Sequence, residues 1–176
     1  MTVSHCPTNS MQTWRRCNGP PHSINTSGAI IGKLNTSGGT AMITVTGGTA
    51  QQRRLAEICV QHALDELMPR MKNIYITVEL VDIKSAATGW CSTGEDHRDI
   101  EIEVDRKQGL FAIASTILHE MVHAKQYARR EIDGVNMMWR GEPVAEGTDY
   151  SELPWEVEAY KMQDILLSKL VDKDLF

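Results

Sequence analysis

The 176-residue sequence lacks the features that mark several large classes of protein. It has no excess of basic residues, because 18 Lys and Arg stand against 23 Asp and Glu and give a net charge of −5. This balance provides no electrostatic footprint for nucleic acid. No apolar run approaches the length of a membrane span, and the N-terminus has no apolar segment typical of a signal peptide. These absences predict a soluble, cytoplasmic protein without a membrane partner.

The sequence also has few cysteines. Only four are present, at positions 6, 17, 59 and 91, and no two of them form a C-x-x-C pair. This spacing favours free thiols in a reducing compartment over a disulfide framework. The hydrophobic content of 41% is enough for a core, and the length favours a single folded domain.

What the sequence does contain is an H-E-x-x-H motif, His119-Glu120-Met121-Val122-His123, within a segment of helical periodicity. Two histidines four residues apart lie on one face of a helix, where both imidazoles can bind the same Zn²⁺. Glu120 is turned away from direct ligation, but it can take a proton from a water molecule at the metal. The motif therefore predicts a zinc metallopeptidase site, with both histidines as ligands and Glu120 as the general base.

The same pattern can also arise by chance or on a solvated helix face. The neighbouring residues favour the metal site, because an ion would lie against a dry helix. These uncharged neighbours are Leu118, Met121, Val122 and Ala124. Lys125 departs from the hydrophobic residue that is usual just beyond the motif. Another histidine, His62, falls near the apolar face of an earlier helix, and we interpret it as a core residue rather than a ligand.

The composition predicts two parts of the chain. Residues 1–48 are rich in Gly, Ser and Thr and contain scattered Pro, which predicts an extension that is either irregular or a weak hairpin. The irregular alternative is favoured, because an isolated hairpin is only marginally stable in water. Residues 49–176 have the periodic patterns of regular structure and are predicted to form the folded domain.

Within residues 49–176, helical and strand patterns follow one another. The predicted elements are a helix from its N-cap Thr49 to about Met68, a strand over 73–83, a glycine-containing loop over 85–96, a strand over 100–104, the motif helix over about 108–132 ended by Gly134, and a helix from Pro154 to about Val171. In the strand 100–104 apolar residues alternate with acids, and charge on its open side predicts an exposed edge strand. This order predicts an α+β fold with a small mixed or antiparallel sheet packed on the motif helix.

A catalytic zinc ion usually takes three protein ligands, so a third ligand is needed. No histidine follows His123, which favours a carboxylate. Glu156 is the favoured candidate, because it lies in the first turn of the last helix, where the small Ala159 would let that helix pack closely on the motif helix. Glu158 points about 200° away from Glu156 around the helix and is the main alternative. Four loop acids also remain open as candidates: Glu142, Glu146, Asp149 and Glu152.

With these residues the chain resembles a small zincin of the gluzincin kind, in which a glutamate on a later helix, often in an E-x-x-A pattern, is the third ligand. Glu156 and Ala159 match that pattern. Over about residues 50–170 the order of elements is similar to SprT-like and minimal gluzincin domains, including metallopeptidase-like proteins of bacteriophages. Gly89 and the strand 100–104 match the turn and strand before the active helix. The third histidine of SprT proteins is absent here.

The resemblance implies a zincin-like fold for the domain, with Zn²⁺ held by His119, His123 and Glu156. It implies zinc-dependent endopeptidase activity on a peptide that adds to the strand 100–104 by main-chain hydrogen bonds. The outward acids of that strand, Glu101, Glu103 and Asp105, would favour basic substrates. Tyr150, Tyr160 and Arg140 are candidates for stabilising the oxyanion. The alternative is a catalytically inactive zincin-fold module that binds a partner or uses a metal ion for structure alone.

Overall fold

The computed structural model describes residues 30–36 and 39–173, with side chains from residue 41 onwards. This part of the chain is a mixed α+β protein with three α-helices and a five-stranded mixed sheet. The strands are β1 (Ile30–Thr36), β2 (Gly39–Gly47), β3 (Ile74–Val81), β4 (Gly89–Thr93) and β5 (Asp99–Asp105). The helices are α1 (Ala50–Leu67), α2 (Leu110–Ala128) and α3 (Pro154–Asp172). None of the helices in the described residues is long and apolar enough to cross a membrane.

The strands of the sheet lie in the order β1-β2-β3-β5-β4. The three central strands are parallel to one another, and the outer strands β1 and β4 are antiparallel to their neighbours. In β3, alternate side chains are buried, as the β-branched pattern predicts. The predicted strand within 73–83 is therefore confirmed.

The prediction that residues 100–104 form an exposed edge strand was wrong. They belong to β5, which lies between β3 and β4. The strand at this edge of the sheet is β4, which falls within the stretch 85–96 that was predicted as a loop. The acids of β5 do alternate with buried apolar residues. Their charge marks the open face of the sheet, which an antiparallel or mixed sheet can expose to water, and not its edge.

Within the stretch 1–48, the described residues form the hairpin that was kept open as the alternative to an irregular extension, and this hairpin is part of the larger sheet. Residues 39–47 form β2, which pairs with β1 on one side and with β3 on the other. Its inward side chains, Ala41, Ile43 and Val45, are buried in the core. A hairpin that is marginal by itself is stabilised when it extends a larger sheet. The predictions for residues 1–29 lie outside the described residues.

Helix α1 begins as predicted, with Thr49 as its N-cap. The Thr49 hydroxyl accepts a hydrogen bond from the backbone N–H of Gln52 at 3.2 Å, and the Gln52 side chain accepts one from the Thr49 N–H at 2.8 Å. This reciprocal pair satisfies two backbone donors at the helix start. Just before it, Gly47 has a φ of +70°, and a Cβ there would lie 2.2 Å from the carbonyl oxygen of Leu80.

Helix α2 ends earlier than predicted. Its last residue is Ala128, and not a residue near Ile132. Arg130 takes a left-handed conformation with a φ of +56°, and the N–H of Glu131 closes the helix end by donating to the carbonyl of Gln126 at 2.8 Å. Gly134 therefore plays no part in ending the helix. The sequence pattern missed this end because a non-glycine residue rarely adopts this conformation.

A compact connection leads from α2 to α3. Three two-residue strands, β6 (Ile132–Asp133), β7 (Met138–Trp139) and β8 (Glu142–Pro143), form a small antiparallel sheet, and a 3₁₀ turn follows at Tyr150–Glu152. Pro154 begins α3 as predicted. Ala159 of α3 is fully buried where this helix packs on α2. His62 is buried, and its Nε2 lies 3.1 Å from the carbonyl of Leu166, as expected for a core histidine.

Candidate metal centre

Three side chains from α2 and α3 meet in the interior beside the sheet. His119 and His123 lie one turn apart on α2, and Glu156 approaches them from the first turn of α3. The two Nε2 atoms are 3.2 Å apart, and each lies 3.4 Å from an oxygen of the Glu156 carboxylate. Ligand atoms about 2.0–2.1 Å from a tetrahedral zinc ion are about 3.3–3.4 Å from one another. The two nitrogens and the carboxylate therefore form a triangle with spacings close to those of ligands on one tetrahedral ion, in which Glu156 faces His119 with Oε2 and His123 with Oε1.

The hydrogen bonds of Gln126 determine which nitrogen of His123 carries a proton. The Gln126 side-chain amide is fully buried, and its N–H₂ group donates to the Trp155 carbonyl at 3.0 Å and to Glu158 Oε2 at 2.9 Å. Because both partners are acceptors only, the amide cannot be turned around. Its oxygen lies 2.8 Å from His123 Nδ1, which must therefore be the protonated nitrogen. The lone pair of Nε2 then points into the centre.

His119 is held in the same way by a different glutamine. Its Nδ1 lies 3.0 Å from Gln163 Oε1, and Gln163 Nε2 donates to the Ser115 hydroxyl at 2.8 Å. Metal-bound histidines usually donate their second ring N–H to such an acceptor, which fixes the ring and raises its basicity. In this arrangement Nδ1 of each ring contacts a glutamine oxygen, and Nε2 of each ring faces the same point.

When both imidazoles are neutral, the atoms that meet in the centre are all acceptors. Glu156 Oε2 is buried and has no hydrogen-bond partner among the described residues. Burial by itself would lower the pKa of His123, but the charge of Glu156 and a hydrogen bond to it outweigh burial and raise that pKa to about 9. Burial would raise the pKa of Glu156, yet the two histidines lower it well below its usual range. The directions of both pKa shifts indicate that the space between the three side chains favours a positive charge. The three residues form a group that could hold a metal ion.

No protein-family model, curated protein or solved structure matches this chain. What the centre can do therefore follows from its own atoms.

Glu120 lies beside the centre without joining it. It is buried, and together with His119 it lines a cleft of about 550 Å³. Burial raises the pKa of its carboxyl, the histidines oppose that shift, and Glu156 adds to it, so the pKa stays above its usual value. A carboxylate whose pKa is raised towards neutrality is a better proton acceptor from water.

Gly89, the first residue of β4, leaves space next to this carboxylate. A Cβ at this position would lie 2.6 Å from Thr116 Cγ2 and 3.4 Å from Glu120 Oε1. Any side chain here would therefore push against α2 and fill the cleft in front of Glu120. The edge strand β4 and the candidate general base Glu120 therefore border the same cleft.

Two of the three residues expected to stabilise an oxyanion lie in the cleft. Tyr150 and Tyr160 line it, and the ring of Tyr160 lies 4.7 Å from that of His119. Burial, and then the neighbouring Glu156, raise the pKa of the Tyr150 phenol, which therefore keeps its proton at neutral pH. Arg140 instead donates to Glu158 at 2.7 Å and stacks on Trp139.

The other candidate ligands lie elsewhere. Glu158 accepts hydrogen bonds from Lys125, Gln126 and Arg140, on the side of α3 that the 200° rotation predicts. The metal-binding group found among the described residues includes none of the loop acids Glu142, Glu146, Asp149 and Glu152.

The sequence analysis did not identify the two glutamines that contact the histidines, Gln126 and Gln163. The spacing of Gln126, three residues after His123, was a signal that it could reach the ring.

Proposed function

We propose that the chain is a zinc-dependent endopeptidase of the zincin kind. The observation that supports the proposal is that two imidazole nitrogens and a buried carboxylate form a triangle. The other nitrogen of each ring, Nδ1, already lies within hydrogen-bond distance of a glutamine oxygen. Nitrogen and carboxylate ligands in tetrahedral spacing suit Zn²⁺, and three protein ligands leave one coordination position open. When bound, zinc would supply a Lewis acid that lowers the pKa of water and polarises a carbonyl group.

The residues of this chain supply the other parts of the reaction. Glu120 accepts a proton from the attacking water, since its raised pKa and its place in the cleft suit it for that step. It then returns the proton to the leaving amine. The phenol of Tyr150 keeps its proton, so it can donate a hydrogen bond to the oxyanion as that charge develops.

The substrate would lie along β4 and not along β5. β4 pairs with β5 on one side only, and its first residue, Gly89, lines the cleft. An extended peptide can add to such an edge by main-chain hydrogen bonds. The acids of β5 are not at this edge and give no reason for a basic preference. Among the described residues that line the cleft, two are acidic, Glu120 and Asp164, and none is Lys or Arg. Neutral and basic peptides are therefore the expected substrates.

The decisive variant is Glu120→Gln, which keeps the size of the side chain and removes its basicity. We expect it to bind zinc as the parent protein does, and to lower the rate of cleavage of internally quenched peptides by about 10²–10⁴-fold. Glu146→Gln, a change in an exposed loop glutamate, is the matched control and should leave cleavage unchanged.

A zinc-loaded parent protein that cleaves no peptide of a diverse library would contradict the proposal. It would support instead the reading in which the metal has a structural role. Cleavage that Glu120→Gln leaves intact would show that the activity belongs to a contaminant or to another site.

A further inference from the structure

A second cavity, of about 520 Å³, lies where α1 ends and α2 ends. It is lined by none of the residues of the metal centre. Its lining contains four cationic residues, Arg70, Lys72, Arg98 and Arg129, and no carboxylate. Its volume falls within the range of small-molecule sites, about 300–1,000 Å³. The concentration of positive charge is notable because the whole chain has a net charge of −5.

Main-chain carbonyls hold two of the arginines in place. Arg129 Nη2 donates to the carbonyl of Leu67 at 2.7 Å, and Arg98 Nη1 donates to the carbonyl of Lys72 at 3.2 Å. A carbonyl positions a guanidinium group but does not neutralise its charge. Arg98 Nε is buried and has no hydrogen-bond partner among the described residues. Each guanidinium has five N–H donors, so most of them remain for a ligand.

Among the described residues, no acid forms an ion pair with the cations of this cavity. Other basic residues form ion pairs: Arg106 with Asp82, Lys125 with Glu158, and Lys169 with Glu66. In the part of the chain that the structure describes, no ion pair includes Arg70, Lys72, Arg98 or Arg129. Four unpaired cations around one cavity favour an anion that comes from outside the chain.

The floor of the cavity is apolar. Met68, Pro69 and Met71 line it, and flexible methionine side chains adapt to flat apolar groups. The volume of the cavity suits a small molecule rather than a long polymer. A small molecule with one anionic group and an apolar body fits both features.

We propose that this cavity binds a small organic phosphate. The phosphate oxygens accept hydrogen bonds from Arg98 and Arg129, whose planar guanidinium groups match the geometry of a phosphate. The apolar body of the ligand lies on Met68 and Met71. This site is independent of the metal centre and of the peptidase proposal, since the two share no residues.

The test is a titration of the chelator-treated full chain with adenosine 5′-monophosphate and, separately, with inorganic phosphate. Removing metal first excludes binding of phosphate to zinc. We expect saturable binding of both probes, tighter for the nucleotide, with NMR shifts confined to the amides around 67–73, 98 and 129. The double variant Arg98→Gln/Arg129→Gln should weaken binding by about tenfold or more.

The matched control is Arg54→Gln/Arg106→Gln, which removes the same charge from outside the cavity. It should change the affinity by less than about twofold, because screening weakens distant charges. If the first variant folds poorly, Arg70→Gln/Lys72→Gln is used instead, because both side chains are exposed and their replacement should leave the fold intact. This variant should weaken binding by about threefold or more.

Three results would overturn the proposal. The first is the absence of saturable binding, and the second is an equal loss of affinity in the control pair. The third is much tighter binding of a short single-stranded oligonucleotide than of the nucleotide, which would make this face a nucleic-acid surface.

Discussion

Two clusters lie side by side where α2 packs on α3, and they differ in what they contain. In the first, His119, His123 and Glu156 offer only acceptor atoms to one another when both imidazoles are neutral. In the second, two cations face two carboxylates. Lys125 donates to Glu131 at 2.7 Å and to Glu158 at 2.9 Å, and Arg140 donates to the same two acids. The second cluster is complete, whereas the first needs a positive charge from outside.

The contrast is sharpest between two glutamates that are two residues apart on α3. Glu156 faces the imidazoles, and Glu158 faces Lys125 and Arg140. Gln126 touches both clusters, because its oxygen accepts from His123 and its nitrogen donates to Glu158. A charge that is already balanced within the chain stabilises the fold, and an unbalanced buried carboxylate indicates a missing cation. Burial alone does not distinguish these roles.

The largest effect is expected from exchanging each glutamate for glutamine. Glu156→Gln removes the only charged ligand of the centre and should weaken zinc binding by more than about 100-fold. Mutating a residue that only hydrogen-bonds to a metal ligand already lowers metal affinity by about 10–100-fold, and a ligand should matter more. Glu158→Gln keeps an acceptor for Gln126, so zinc affinity should change by less than about tenfold. A competition titration against a chelator of known affinity measures both.

The free energy of unfolding of the apo protein tests the second cluster. Glu158→Gln leaves the buried Lys125 with one acid instead of two, and we expect it to lower the stability of the fold by about 1–3 kcal/mol. Equal losses of zinc affinity in the two variants would show that the clusters do not differ as described.

A smaller loss of zinc affinity is expected from Gln126→Leu. This variant removes the acceptor that keeps the proton of His123 on Nδ1, and we expect zinc to bind about 10–100-fold more weakly. In the cobalt-substituted protein, the exchangeable Nδ1–H signal of His123 should broaden or disappear, while that of His119 persists. Gln61→Leu, on α1, is the matched control and should alter neither. A variant that loses stability but keeps its zinc affinity would assign Gln126 to the second cluster alone.

The parts of this site that the sequence predicted are those set by helical geometry. The spacing of His119 and His123, and the phase that separates Glu156 from Glu158, depend only on 3.6 residues per turn. The N-cap at Thr49 is likewise local, because its partners lie within one turn. Each of these predictions could be made without knowing which elements pack together.

The parts that the sequence did not predict depend on pairing between distant segments. β4 is a short strand with Gly89 and polar residues, and only its register with β5 makes it the edge. β2 was assigned to an extension because its partner, β3, follows a whole helix later. The role of Gln126 depends on Trp155 and Glu158, which come from another helix. Such contacts follow from tertiary packing, and local patterns carry little information about them.

The pH dependence should also separate the two clusters, because zinc affinity should change by about tenfold per pH unit. Without metal, Glu156 raises the pKa of His123 to about 9, so zinc must displace a proton from this ring at any lower pH. Zinc affinity should therefore rise with pH and level off near pH 9. The stability of the apo protein should move the other way, because a raised histidine pKa stabilises the fold below about pH 6.5 and that contribution is lost as the pH rises through 9.

The two glutamate variants make this prediction specific. Glu156→Gln removes the charge that raises the pKa of His123, so the remaining zinc affinity should level off at a lower pH. Glu158→Gln should leave the plateau near pH 9, because Glu158 is not among the groups that shift the pKa of His123. Zinc titrations in metal buffers from pH 6 to pH 10 locate each plateau. A plateau that Glu156→Gln fails to move would mean that the positive charge drawn to the centre is held by some group other than this carboxylate.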